Sequence, residues 1–215
     1  MAGISTPAMS AVTLRRSLRA KLFRQWPRII VIGGQYRNVG KTALVVDMIR
    51  AFPKCDWLAI KITQHHTLND DSAGYRFRAE TDHSGQPDSS RFLAAGAARS
   101  FLLQASHAHF AEAMMELRTL MKGAEHVIIE SNVVLDYVPA DLAILVLDPR
   151  RPDFKASARR LLGIADGFVL RAPLFAPNWP DVDTRVIRAK ASFLQPIGGP
   201  VPIRLRGRVQ RALRK

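Results

Sequence analysis

The tripeptide Gly40-Lys41-Thr42 places the strongest constraint on the fold of this chain. It follows an apolar run at residues 29–32 that predicts a strand, and it precedes residues 43–50, whose pattern predicts a helix. A glycine-bearing loop that ends in Gly-Lys-Thr between a strand and a helix is typical of a site for the phosphates of a nucleoside triphosphate. We therefore expect this chain to bind GTP or ATP.

Each residue of the tripeptide has a chemical role in such a site. Gly40 lets the backbone approach the phosphates where a Cβ atom would intrude. Lys41 reaches the β- and γ-phosphates, and the Thr42 hydroxyl is a ligand for Mg²⁺. Loop N–H groups and the positive end of the following helix face the anions. The predicted nucleotide-binding residues are Gly34, Gln35, Arg37, Asn38, Val39, Gly40, Lys41, Thr42 and Ala43.

The loop departs from the usual pattern at one position. That pattern is Gly, four residues and Gly-Lys-Ser/Thr, and here its first glycine position is occupied by Gln35. Counted from Gly34, the loop is one residue longer than usual. The alternative is a glycine turn followed by an ordinary surface lysine and threonine. The strand and helix patterns on both sides favour the phosphate site.

Length and composition limit the class of protein. With 215 residues, of which 47% are hydrophobic, the chain is long enough to bury the core of one globular domain. Its only cysteine, Cys55, permits no internal disulfide and indicates a reducing compartment, so we expect a cytoplasmic protein. No apolar run approaches the roughly 18 to 20 residues that a membrane-spanning helix needs.

The net charge of +14 is concentrated at the two ends of the chain. Residues 1–28 and 185–215 contain six and nine Lys/Arg residues and no acid. We therefore predict a basic N-terminal arm (1–28), a nucleotide-binding domain (29–184) and a basic C-terminal tail (185–215). Residues 12–27 fit a basic amphipathic helix that either packs on the domain or lies on an anionic surface, nucleic acid or membrane.

The body of the chain alternates short apolar runs with helix-like segments. Predicted strands lie at 29–32, 57–62, 100–103, 127–130, 142–147 and 167–170, and predicted helices at 41–52, 88–97, 107–122 and 154–164. Such alternation is typical of a parallel sheet with helices on both faces. We expect a three-layer α/β/α fold of the P-loop NTPase type, with the ligand at the carboxyl ends of the strands.

Charged residues at predicted strand ends are the candidates for chemistry beyond the loop. Glu130 ends an apolar run where phosphate-loop enzymes place the acid that holds Mg²⁺ through water or orients the attacking water. Asn132 is placed to contact the γ-phosphate or a substrate, unless this segment is only a turn. Lys61 ends the second strand, and Asp88 either caps a helix or faces Mg²⁺. The predicted catalytic residues are Lys41, Glu130, Asp88, Lys61 and Arg91, and the predicted metal ligands are Thr42, Asp88 and Glu130.

Other polar groups leave alternatives open. Asp148 ends a strand beside Pro149, so a ligand role and a turn role fit equally well. Histidines and acids within 65–83 carry metal-binding atoms, but their spacing fits no recognised ligand pattern. The Asn/Thr-Lys-x-Asp reader of guanine is absent after residues 168–170, so the sequence does not choose between GTP and ATP.

With these residues in view, the chain resembles the MobB-type family, the P-loop accessory proteins of molybdopterin-guanine dinucleotide synthesis. The resemblance rests on Gly34…Gly40-Lys41-Thr42, on Ala59-Ile60-Lys61 running into His65-His66, and on Asp88…Arg91…Ala95-Gly96-Ala97. Residues 129–148 are also similar to the nickel-insertion GTPases. The resemblance implies an often dimeric α/β/α domain that hydrolyses nucleotide weakly in support of a molybdopterin-handling partner enzyme.

Two other functions remain open on the sequence. In a small-molecule kinase, the same loop would hold ATP and the polar segment 63–90 would hold an acceptor hydroxyl. In a nucleic-acid or membrane-surface binding module, the basic ends would provide a salt-dependent attachment. The destination of the γ-phosphate distinguishes the first of these from an NTPase.

Overall fold

A computed structural model describes residues 26–65, 74–174, 177, 179 and 181–214, without the side chain of His65. The helix predicted at 12–27 lies outside these residues except for its last two. Within the described residues, the chain forms one sheet in the order β3-β4-β2-β5-β1-β6-β7-β8. The strands are β1 Arg28–Gly34, β2 Trp57–His65, β3 Tyr75–Ala79, β4 Arg99–Ser106, β5 His126–Glu130, β6 Leu142–Leu147, β7 Gly167–Leu170 and β8 Ala191–Leu194.

Helices connect these strands and cover both faces of the sheet. They are α1 Lys41–Ala51, α2 Asp88–Ala94, α3 Phe110–Met121, α4 Ala156–Ile164, α5 Thr184–Arg188 and α6 Ile203–Arg214. One face packs on α1, α2 and α6, through residues such as Leu44, Phe92 and Val209. The other face packs on α3 through Phe110, and on α4 through Leu161. The predicted three-layer α/β/α architecture is confirmed.

The strand register brings the predicted site residues to one edge of the sheet. Neighbouring strands pair in parallel except for the edge strand β3, which pairs with β4 in the antiparallel sense. Glu130 pairs with Ile32 of β1 on one side and with Lys61 of β2 on the other. Because parallel strands end at the same edge, the loop after β1 lies beside Lys61 and Glu130.

The central strands are apolar because both of their faces are covered. All six residues of β6 are buried, as are residues 29–34 of β1. Burying one such Val, Leu or Ile side chain stabilises the fold by roughly 1.5 to 3 kcal/mol. This continuous burial explains why the predictions for these strands came within a few residues of the observed bounds.

Four of the strands and α-helices in the described residues were not predicted from the sequence. β3 lies within the polar stretch 63–87, where Tyr75 and Phe77 alternate with exposed arginines in the manner of a half-covered edge strand. The others are α5, β8 and α6 in the C-terminal region. There β8 extends the sheet, and α6 buries Leu205, Val209 and Ala212 against the main core. Most of the acid-free stretch 185–215 is thus part of the folded body.

None of the helices in the described part of the chain is both long and apolar enough to cross a membrane.

Candidate phosphate-binding site

The loop between β1 and α1 has the backbone of a phosphate cradle. Gly40 has a φ of 97° and directly precedes α1, and Asn38 also has a positive φ, of 68°. A Cβ atom on Gly40 would lie 2.8 Å from Nη2 of Arg171, so space as well as conformation requires glycine there. The first turn of α1 contains no acidic residue. The loop therefore presents the positive end of α1 to an anion.

Lys41 lies across the mouth of this loop. Its Nζ donates a hydrogen bond of 3.1 Å to the carbonyl oxygen of Tyr36. A Cβ atom on Gly34 would approach Lys41 Cγ to 2.6 Å, so Gly34 makes room for the lysine. Burial lowers the pKa of Lys41 below its ordinary value, and the charge of Glu130 opposes this effect. Phosphate oxygens are natural replacements for the Tyr36 carbonyl as partners of this ammonium group.

Thr42, Glu130, Lys61 and Asp88 form a continuous polar chain beside the loop. The Thr42 hydroxyl donates to Glu130 Oε2 over 2.7 Å. Lys61 Nζ lies 3.1 Å from Glu130 Oε1 and 3.5 Å from Thr42 Oγ1, and it also donates to Asp88 Oδ2. The three predicted metal ligands thus converge on one cation, the Lys61 ammonium group. Two carboxylates and a hydroxyl are hard oxygen donors, so this set fits Mg²⁺.

Asp88 and Arg91 form the outer part of this polar chain. Arg91 Nη1 lies 3.6 Å from Asp88 Oδ1, and the side chains of both residues are about two-fifths exposed. Partial burial raises the pKa of Asp88, but the hydrogen bond and charge of Lys61, with Arg91, outweigh it and leave the pKa below its ordinary value. Asp88 is therefore an ionised carboxylate at neutral pH, open to solvent beside the loop.

Gln35, which occupies the usual position of the first loop glycine, is fully buried. Its Nε2 donates to the carbonyl oxygens of Arg151 and Asp153, both at 2.9 Å, and its Oε1 accepts from the Asp148 N–H at 2.7 Å. Its own backbone N–H and C=O pair with Val146 and Lys155. Every polar group of Gln35 is thus engaged inside the protein, so this residue braces the loop and has no polar group left for a phosphate.

Asn132 braces the start of the loop. Its Oδ1 accepts from the Gly34 N–H and its Nδ2 donates to the Gly34 carbonyl oxygen, both at 2.8 Å. The same Nδ2 lies 3.3 Å from Ser157 Oγ on α4. The sequence left Asn132 open between a contact with the γ-phosphate or a substrate and a turn role, and in the structure its amide fixes Gly34.

Arg171 braces the far end of the loop, and no sequence pattern indicated this role. Arg171 directly follows β7 and is buried, with only 3% of the residue exposed. Nη2 donates to the Gly40 carbonyl oxygen over 2.7 Å, and Nε donates to that of Val39 over 3.3 Å. Burial lowers the pKa of Arg171, and the charge of Asp47 opposes this shift. The guanidinium group draws two loop carbonyls away from the phosphate side and leaves a fixed positive charge behind the loop.

Gln195, at the end of β8, completes this brace. Nη1 of Arg171 donates to the Gln195 carbonyl oxygen at 3.0 Å, and Gln195 Nε2 donates to Asp47 Oδ2 on α1 at 3.0 Å. The C-terminal strand is therefore linked to the phosphate loop through one buried arginine.

The remaining candidates divide between the loop surface and its supports. Arg37 and Asn38 are exposed at the outer curve of the loop, and the Val39 side chain is fully buried. Arg150 forms a two-pronged ion pair with Asp148, with both N–O distances at 2.9 Å, which favours the turn role for that aspartate. The described residues contain no group of three His, Cys, Asp or Glu side chains that could hold a metal ion. His66 and residues 67–73 lie outside that description.

Comparisons with known proteins identify the fold. No protein-family model and no curated protein matches the sequence. The structure is similar to HypB from Helicobacter pylori in complex with nickel, with a TM-score of 0.50, 13% identity and 93% of each chain covered. It is also similar to LpxK from Aquifex aeolicus in complex with ATP, with a TM-score of 0.44 and 17% identity over 84% of this chain and 59% of that one. A third similar structure is the MinD cell division protein from Aquifex aeolicus, with a TM-score of 0.42, 15% identity and 86% of each chain covered.

The sequence identity with HypB is only 13%, so this similarity shows a shared fold and nothing about the substrate. It agrees with the mainly parallel sheet and with the loop that joins β1 to α1. The chain has a three-layer α/β/α fold with a mainly parallel sheet, and this fold is similar to that of HypB.

Proposed function

We propose that this chain binds a Mg²⁺-nucleoside triphosphate and slowly hydrolyses the bond to its γ-phosphate. The observation that carries this proposal is the convergence of Thr42, Lys61, Asp88 and Glu130 on one point beside Lys41 and the loop. A set of oxygen donors and cations at the carboxyl edge of a parallel sheet suits a metal-bound phosphate chain.

The loop and Lys41 bind and orient the phosphates in this proposal. Lys41 exchanges its bond to the Tyr36 carbonyl for oxygens of the β- and γ-phosphates. The N–H groups that precede and begin α1 donate to the same phosphates. These donors are held in place before the ligand arrives, so they stabilise developing charge without further reorganisation, which is usually the largest catalytic term.

Thr42, with Glu130 and Asp88, would hold Mg²⁺, which when bound neutralises charge on the β- and γ-phosphates. Lys61 and Arg91 supply additional positive charge next to the γ-phosphate. In hydrolysis, a water oxygen forms a bond to the γ-phosphorus while the bond to the bridging oxygen breaks. Whichever of Glu130 and Asp88 does not bind the metal directly accepts the proton that this water loses.

The biological partner is proposed from the sequence resemblance. All three segments that resemble the MobB-type proteins contribute to the site: the loop, the end of β2 at Lys61, and the start of α2 at Asp88. This clustering supports an accessory role for a molybdopterin-handling enzyme, and the resemblance implies a homodimer. The first binding experiment distinguishes GTP from ATP as the ligand.

Equilibrium binding tests the proposal directly. We expect micromolar binding of ATP or GTP with Mg²⁺, and a loss of at least tenfold, about 1.4 kcal/mol, in Lys41→Ala. The matched control is Lys122→Ala, because Lys122 is an exposed lysine at the end of α3. Slow release of free phosphate would then establish hydrolysis. A folded protein that binds neither nucleotide would reject the proposal.

Phosphoryl transfer to a small molecule is the second candidate function. It is favoured by a groove of about 260 Å³ that Lys61 and Asp88 line together. Nucleotide binding without phosphate release, followed by consumption of triphosphate when an acceptor is added, would favour this transfer over hydrolysis.

A further inference from the structure

The groove beside Lys61 has polar side chains on its floor and on one wall. Lys61 and Thr63 of β2, with Leu102 and Gln104 of β4, form the floor. The start of α2 forms the wall, and there Asp88 also lines the groove. Lys61 joins this groove to Thr42 and Glu130, and Asp88 accepts a hydrogen bond from Lys61. The groove is therefore contiguous with the proposed γ-phosphate position.

The edge strand β3 lies beside β4, on the far side of the groove floor, and carries two cationic side chains. The antiparallel register places Arg78 opposite Leu102 and Arg76 opposite Gln104. Directly opposite residues share a face of the sheet, so both arginines lie on the face that forms the groove floor. Both residues are exposed, and Arg78 lies 3.7 Å from Glu80, which the hydroxyl of Ser89 also contacts.

Thr63 carries an unsatisfied polar atom at the centre of the floor. Its hydroxyl oxygen is buried and has no hydrogen-bond partner among the described residues. Buried polar atoms are nearly always paired, so an orphan beside a cavity indicates a missing partner.

Size and charge define what fits. Neighbouring strands lie about 4.8 Å apart, so the rim on β3 is roughly 10 Å from the Lys61 end on β2. The Lys61 end offers the carboxylate oxygens of Asp88 as hydrogen-bond acceptors, and the far end offers guanidinium groups. A molecule that bridges them needs a hydroxyl group at one end and an anionic group at the other.

We propose that this groove binds a small hydroxyl-bearing organic anion, with its hydroxyl beside Lys61 and Asp88 and its phosphate or carboxylate at Arg76 and Arg78. This inference rests on the proposed function, because it places the second ligand next to the γ-phosphate of the bound nucleotide. The chain would then bind two substrates side by side, the nucleotide and a small hydroxyl-bearing organic anion.

The test uses two probes that share this chemistry but differ in the anionic group, ribose 5-phosphate and gluconate. The full chain is first saturated with a non-hydrolysable GTP or ATP analogue and Mg²⁺, so that the phosphate loop is occupied. Each probe is then titrated to about 20 mM and binding is followed by NMR chemical-shift changes. We expect saturable binding of at least one probe, and which one binds identifies phosphate or carboxylate as the preferred group.

The variants Arg78→Gln and Thr63→Val change the groove, and Arg99→Gln is the matched control. Arg99 is also an exposed arginine of this sheet edge, but it pairs with the buried Leu58 and so belongs to the opposite face. We expect at least one groove variant to weaken probe binding about fivefold or more while Arg99→Gln does not. Val is close in shape to Thr, so Thr63→Val removes only the hydroxyl group.

Two results would overturn the proposal: no saturable binding of either probe, or binding that neither groove variant weakens more than the control. Nucleotide affinity is measured on each sample beforehand. If the nucleotide itself does not bind, the proposed function fails, and titration of gluconate into the nucleotide-free protein still decides whether the groove is a site.

Discussion

The two sides of the candidate site are held by different kinds of contact. The loop side is fixed by Gln35, Asn132 and Arg171, through hydrogen bonds to main-chain groups of the loop and its neighbours. The acidic side is held by ion pairs among Lys61, Asp88 and Arg91, and the side chains of Asp88 and Arg91 are about two-fifths exposed. One side is therefore a fixed cradle, whereas the other can rearrange when a ligand arrives.

The two sides differ in the free energy that is lost when a contact is broken. A buried donor or acceptor that loses its partner costs about 1 to 3 kcal/mol, so the braces on the loop side keep one geometry. Exposed ion pairs contribute about 1 kcal/mol or less, because water competes for both partners. The outer pair of Asp88 and Arg91 can therefore exchange partners at little cost, whereas Lys61 and Glu130 form a mostly buried pair.

The largest effect is expected from breaking the loop side at Arg171. Arg171→Met leaves the carbonyl oxygens of Val39 and Gly40 without their buried donor. We expect a loss of about 3 kcal/mol in the free energy of unfolding, measured by urea denaturation, together with weaker nucleotide binding. Arg171→Lys keeps the charge but not the forked donor, so its loss should be smaller. Equal stability of Arg171→Met and wild type would contradict the brace.

A smaller loss of stability is expected from Gln35→Gly, which restores the usual loop residue. The substitution removes the partners of the Asp148 N–H and of the Arg151 and Asp153 carbonyls. We expect a loss of about 2 kcal/mol in unfolding free energy, with little change in nucleotide affinity. Gln86→Gly, at an exposed glutamine, is the control. A large drop in affinity without loss of stability would show that Gln35 acts on the ligand instead.

A substitution on the acidic side should change the Mg²⁺ dependence of nucleotide binding more than the free energy of unfolding. Thr42→Val removes the hydroxyl that contacts Glu130 and is predicted to bind the metal. We expect Mg²⁺ to improve nucleotide affinity in wild type and in Thr42→Ser about tenfold more than in Thr42→Val. Binding titrations with Mg²⁺ and with a chelator measure this ratio. An equal Mg²⁺ dependence in all three proteins would remove Thr42 from the metal site.

The smallest effect is expected from the ionisation of Asp88. Because its folded pKa is lowered, its contribution is present above the unfolded pKa, about 3.9, and is lost as the pH falls through the folded value. Wild type and Asp88→Asn should therefore differ in unfolding free energy at pH 6, by less than about 1 kcal/mol, and converge at low pH. Urea denaturation across this pH range checks the sign. A difference that grows on acidification would contradict it.

The sequence by itself determined the Gly-Lys-Thr loop between β1 and α1, the central strands and the fold class. Gly40-Lys41-Thr42 lies between a strand and a helix within one short segment, and strands such as β6 are continuous apolar runs. The strand-end rule also predicted that Lys61 and Glu130 lie at the ligand-binding edge of the sheet, since it depends only on parallel pairing. These features are encoded by neighbouring residues, so a pattern along the chain contains them.

Only the tertiary structure decided what braces the loop. Gln35 and Arg171 contact main-chain groups more than 100 positions away, and polar side chains at such separations leave no periodic signal. The C-terminal region was likewise predicted to be a basic tail because of its charge. In the structure, α6 buries one apolar stripe, and Gln195 at the end of β8 contacts Arg171. Charge and local pattern describe a residue's own segment, whereas its burial and its partners depend on which segments the fold brings together.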